Sequence, residues 1–190
     1  MNIPDKISVF RMALAPVLLL LAWFQQGRVF LILLALAYIS DAVDGPIARR
    51  TGQQSALGPR LDTWADVSIY LCVPLCAWWL WPELFMQEAL YFIFIIASIV
   101  FPLLAGLFKF RRTTSYHTWL TEAAAACATV STMLLFTGVS PWPFRVSSFL
   151  CMLAGFEEIL ITIFLRKPTS DIHNLWYVVR DKSSRPQDGT

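Results

Sequence analysis

Charge is what this sequence has least of. Only 15% of its 190 residues are Asp, Glu, Lys or Arg, against roughly 25% in soluble domains. So few charges cannot cover a large core with a water-facing surface, and the hydrophobic share of 57% exceeds the ~45–50% usual for soluble chains. An ordinary soluble globular protein is excluded, and a bilayer becomes the expected solvent. The formal net charge of +2 is too small to make nucleic acid a partner. Cysteine is sparse as well: Cys72, Cys76, Cys127 and Cys151 all lie in apolar runs. None has ligand-like spacing beside a histidine, so all four are read as buried free thiols rather than disulfides or zinc ligands. Internal repeats and low-complexity tracts are also missing.

What fills the chain instead is long apolar runs. A spanning helix needs ~20 mostly apolar residues, and six candidates occur, at about 6–24, 28–44, 63–81, 86–108, 118–138 and 145–165. The first, FRMALAPVLLLLAWFQQ, ends in bulky and polar residues without a small-x-small cleavage pattern, and is read as a retained helix. Short connections make one bundle the expected architecture: an all-α polytopic membrane protein with six transmembrane helices over residues 1–165. From Arg166 the chain turns polar and ends in SSRPQDGT, so 166–190 is read as a surface tail with a frayed end.

Lysine and arginine set the orientation. With the N-terminus inside, thirteen of the fifteen fall on the inner side, leaving Arg28 and Arg145 outside. Both termini are expected in the cytoplasm, together with residues 41–66. Trp78, Trp79, Trp81 and Trp142 sit where an outer aromatic belt is expected.

The segment DAVDGPIARRTGQQSALGPRLDTWAD, residues 41–66, is out of place in such a chain. Helical spacing puts Asp41 and Asp44 on one face at i, i+3, and Asp62 and Asp66 on one face at i, i+4. Two helix ends can thus present four carboxylates to one point. Unpaired in a membrane interior, each would cost from ~2.5 to more than 10 kcal/mol, so positive charge must sit among them. Arginines can supply it; so can hard divalent cations such as Mg²⁺, Mn²⁺ or Ca²⁺, which prefer oxygen-only ligands. Two such ions would neutralise four carboxylates, and a two-metal site suits a phosphoryl or pyrophosphate group. Gly45 and Gly58 leave room for a ligand or a neighbouring helix, or serve simply as a kink and a turn beside Pro46 and Pro59. Arg49, after Ala48, can grip a phosphate or act as an inner-face anchor.

Taken together, Asp41, Asp44, Gly45, Ala48, Arg49, Gly58, Asp62 and Asp66 occupy every fixed position of a signature that closely resembles that of the CDP-alcohol phosphotransferase family. The start of the chain, with Asn2, Pro4, Ser8 and Arg11, is similar to the branch that uses CDP-diacylglycerol, and the whole to its phosphatidylglycerophosphate-synthase-like members. The resemblance implies transfer of a phosphatidyl group from CDP-diacylglycerol to an alcohol, release of CMP, a homodimer in the lipid bilayer, and two divalent cations, Mg²⁺ or Mn²⁺. It makes Asp41, Asp44 and Asp62 metal ligands, and Asp66 both a metal ligand and the catalytic base. Binding of CDP is implied for Asp41, Asp44, Gly45, Ala48, Arg49, Gly58 and Asp62.

The acceptor is expected to be glycerol 3-phosphate, with Lys109, Arg111, Arg112 and His117 of KFRRTTSYHTW around its phosphate. The positive-inside rule would also place bases in this loop. That branch often has Pro after the third aspartate and Lys after the fourth, where this chain has Thr63 and Val67, so inositol phosphate, serine and a lipid alcohol stay open. Glu157 and Glu158 are expected to pair with a base inside the bundle. A divalent-cation transporter would also gather aspartates between helices, but at mid-membrane rather than at one cytoplasmic end.

Overall fold

The computed structural model describes residues 3–51, 58–110 and 118–164, with side chains over 5–41, 61–110 and 118–164. Six helices follow in order: α1 Ile3–Trp23, α2 Gly27–Thr51, α3 Gly58–Leu80, α4 Pro82–Phe110, α5 Trp119–Phe136 and α6 Trp142–Phe164. Among the described residues, five of these helices contain a stretch long and apolar enough to cross a membrane: α1, α3, α4, α5 and α6. The tail from residue 165 lies outside the described residues.

Each helix buries one stripe. In α1 the inward positions are Leu14, Ala15, Leu18 and Ala22, and in α2 Phe30, Leu34, Ala37 and Tyr38, both at the i, i+3/i+4 spacing of a helix face. Outward positions carry bare apolar side chains such as Leu20, Ile32, Ile93 and Phe156; in water such a surface would be a liability, and in lipid it is the expected exterior. Helix α1 packs on α2 and α3, α4 on α3 and α6, and α5 on α6, with a lighter α2–α5 contact.

Two expectations are corrected here. Helix α2 runs on to Thr51 rather than ending near residue 44, because apolarity marks where lipid stops and not where a helix must; Ala and Arg in IARR are good helix formers. Cys127 is exposed, on the outer side of α5, whereas Cys72, Cys76 and Cys151 are buried free thiols. Trp81, just past the end of α3, is half-buried. It stacks on Phe136 with ring centroids 4.9 Å apart and meets Phe30 edge-on at 6.0 Å.

That aromatic cluster, joined by Phe92 and Phe144 at 4.8 Å, marks one end of the bundle. Beside it buried Glu88 accepts from Arg145 Nε at 2.9 Å and from Nη2 at 2.6 Å, and the guanidinium also lies over the rings of Tyr91 and Trp142. The alternating helices bring the opposite termini together at the other end: the start of α1, the last half of α2 and the starts of α3 and α5. The charged motif collects there.

Candidate active site

The buried stripe of α1 continues towards its N-terminus as a polar one, with Asp5, Ser8 and Arg11 all buried. Arg11, only 2% exposed, reaches across to two other helices. Its Nη1 donates to Asp41 Oδ1 on α2. Its Nη2 donates to Asp62 Oδ1 at 2.5 Å and lies 3.2 Å from Asp66 Oδ1, both on α3. A buried guanidinium is tolerable only when its charge is matched, and three carboxylates that are 30–39% exposed do so here.

The expected convergence of the motif is therefore present for its described part. Oxygen atoms of Asp41, Asp62 and Asp66 lie within 4.8 Å of one another, brought together from sequence separations of 21 and 25 residues because α2 and α3 both pack on α1. Asp44, Gly45, Ala48 and Arg49 lie on the helical extension of α2, and Gly58 opens α3; their side-chain surroundings lie outside the described residues. Pro59 stands in the first turn of α3, where a helix has no use for a backbone donor.

Of the four residues expected around an acceptor phosphate, Arg111, Arg112 and His117 lie outside the described residues. Lys109 is engaged with helix α6: its Nζ donates to the carbonyl oxygens of Thr162 at 2.9 Å and Ile163 at 2.7 Å. The last carbonyls of a helix lack internal partners and carry partial negative charge, so a lysine there caps both.

Glu158 differs from expectation, because its partner among the described residues is a hydroxyl and not a base. Thr121 Oγ1 donates to Glu158 Oε1 at 3.0 Å, while Thr118 Oγ1 donates to Glu157 Oε2 at 3.1 Å. Thr118 is also the N-cap of α5, accepting from the backbone N–H of Thr121 at 3.2 Å. A cap at the start of α5 and two carboxylates near the end of α6 are thus tied together. Sequence reasoning missed this pairing and the Glu88–Arg145 pair; the signal for the first is a threonine pair one turn apart, Thr118 and Thr121, at a helix start. Asp66 and Glu158 line a common cavity of about 160 Å³ between α3, α4, α5 and α6.

The model of the CDP-alcohol phosphatidyltransferase family matches residues 1–164. Cardiolipin synthase (CMP-forming) of Rattus norvegicus is 46% identical over 66 residues, and that of Homo sapiens 45% over the same length. Each match covers 34% of this chain and 22% of the relative, so the chain spans about a fifth of those relatives where it matches them.

Proposed function

The chain belongs to the CDP-alcohol phosphatidyltransferase family, and from that premise we propose that it transfers a phosphatidyl group from CDP-diacylglycerol to an alcohol, releasing CMP. The observation that carries this reading is the meeting of Asp41, Asp62 and Asp66 oxygens within 4.8 Å at one end of an apolar bundle. An all-oxygen, all-carboxylate donor set of that spread fits a hard divalent cation. Asp41, Asp62 and Asp66, with Asp44, would hold two such ions, Mg²⁺ or Mn²⁺, whose charge offsets that developing on the pyrophosphate.

The chain's own residues supply the rest. Gly45, Ala48, Arg49 and Gly58 form the CDP pocket, with Arg49 the cation for its phosphates. Arg11 restrains the carboxylates against their mutual repulsion. An alcohol is a poor nucleophile, so Asp66 takes its proton as its oxygen attacks the phosphorus that bears the lipid. The new P–O bond forms as the bond from that phosphorus to CMP breaks, and its electron pair leaves with CMP. Both termini and this site face the cytoplasm, as the distribution of thirteen bases supports, and the working unit is a homodimer. The family match tells against a divalent-cation transporter.

For the acceptor, glycerol 3-phosphate rests on the basic run at 109–112. A lipid alcohol is favoured by two observations: both relatives are synthases of cardiolipin, and Lys109 is engaged with the end of α6. The test is purified protein in vesicles with CDP-diacylglycerol and, separately, phosphatidylglycerol, glycerol 3-phosphate, inositol phosphate or serine, with the lipid product identified by mass. A cardiolipin mass with phosphatidylglycerol is the expected result. A product with glycerol 3-phosphate alone restores the first acceptor, and no product with any of them rejects the reaction.

A further inference from the structure

The cavity shared by Asp66 and Glu158 has a size and a charge that select what can enter it. At about 160 Å³ it is comparable to an engineered cavity of about 150 Å³ that takes one benzene molecule. A three-carbon head group fits that space. Most of its wall is apolar, from residues such as Ile95, Ile99 and Ala128, and among the described residues that line it the ionisable carboxyls are those of Asp66 and Glu158, with no base. Glu157 adds a further acid next in sequence. A phosphate pressed into this space would lose its water with no described cation to replace it. Hydroxyls, by contrast, donate to carboxylates, and such charge-assisted bonds are the strong ones. Glu158 has an oxygen to offer: Thr121 occupies Oε1, and Oε2 has no hydrogen-bond partner among the described residues.

We propose that this cavity takes the neutral head of the acceptor as a small vicinal diol, one hydroxyl at Asp66 for transfer and its neighbour held by Glu158, with any phosphate of the acceptor left outside. The proposal rests on the phosphatidyl-transfer reading and adds to it a specificity-determining residue on α6. Two sources carry this chemistry, the glycerol head of a lipid and free glycerol 3-phosphate, and the test separates them.

CMP release is measured with two matched pairs: phosphatidylglycerol against its 3-hydroxypropyl counterpart, which lacks the middle hydroxyl, and glycerol 3-phosphate against 3-hydroxypropyl phosphate. In whichever pair turns over, kcat/KM for the diol is expected to exceed that for the deoxy compound by roughly ten- to hundred-fold, the range of one hydrogen bond to a charged group. The pair that reacts names the source. Glu158→Leu removes the acceptor oxygen and should bring the two members close to parity with the donor's KM unmoved; Glu158→Gln, which keeps an acceptor, should fall between. The comparison in the parent protein needs no variant, so it decides even if Glu158→Leu does not fold. Parity of diol and deoxy acceptor in the parent overturns the cavity inference alone. Full discrimination retained in Glu158→Leu overturns the assignment to Glu158. No CMP from any of the four compounds overturns this inference, and CMP release with inositol phosphate or serine then decides whether the reaction itself stands.

Discussion

Three carboxylates within 4.8 Å of one another repel strongly unless something positive stands among them, and Arg11 is the side chain that does. Its replacement should therefore be felt before any substrate is added. Arg11→Ala is expected to lower the thermal midpoint in EDTA, and excess Mg²⁺ should recover part of the loss by supplying the missing charge. Arg11→Lys keeps the charge without the planar fork that spans two helices, and should lie between. Equal midpoints for all three proteins in EDTA would contradict this role. Asp66→Asn keeps size and removes the proton acceptor; it should retain binding of CDP-diacylglycerol and lose CMP release by ~10²-fold or more, which equilibrium binding and turnover on the same preparation will separate. The aspartates were legible in the sequence because acids are rare and costly in an apolar chain. The contribution of Arg11 was not. It forms part of the N-terminal pattern, but its bonds cross 30 and 51 residues, a separation on which helical spacing is silent.

Helix pairs are where local sequence was least informative. Gly155 on α6 approaches α4 so closely that an added Cβ would stand 2.8 Å from the Ser98 carbonyl oxygen and 2.9 Å from its Cα. Backbone cannot step aside as a flexible side chain can, and small residues are what permit such contacts between helices in lipid. Gly155→Ala should destabilise by about 1–3 kcal/mol, the usual cost of overpacking, read as a lower unfolding midpoint in detergent; an unchanged midpoint would mean the α4–α6 contact is looser than described. At the other end, Glu88→Gln should lower the midpoint too, since it leaves the Arg145 guanidinium with a neutral partner. Apolar runs located all six helices, because burial and lipid both demand them. Their ends were less legible: α2 runs almost two turns past residue 44, and Trp81 stacks on Phe136, 55 residues further on, a partner that local spacing does not reveal. Cys127 shows the same limit, since an apolar run does not reveal which of its positions face lipid and which face protein.

At the scale of the molecule, the bundle separates its functions by end. Aromatic packing and the Glu88–Arg145 pair hold one end, and the carboxylates, Arg11 and the α5–α6 hydroxyl–carboxylate contacts occupy the other. The proposed orientation puts the carboxylate end at the cytoplasm, where the positive-inside rule expects most of the basic residues. A cysteine introduced at Ser140, between α5 and α6, should then react with a membrane-impermeant maleimide added outside intact cells; reaction only after lysis would reverse the orientation. The central claim is that the acid cluster is a phosphatidyl-transfer site, and one measurement tests it most directly: CMP released from CDP-diacylglycerol by the purified protein in vesicles, with the acceptor panel present, in Mg²⁺ or Mn²⁺ and again in EDTA, for the parent and for Asp62→Asn. The account predicts acceptor-dependent CMP release by the parent that is lost in EDTA and lost in the variant. Full release in EDTA, or from Asp62→Asn, would contradict it.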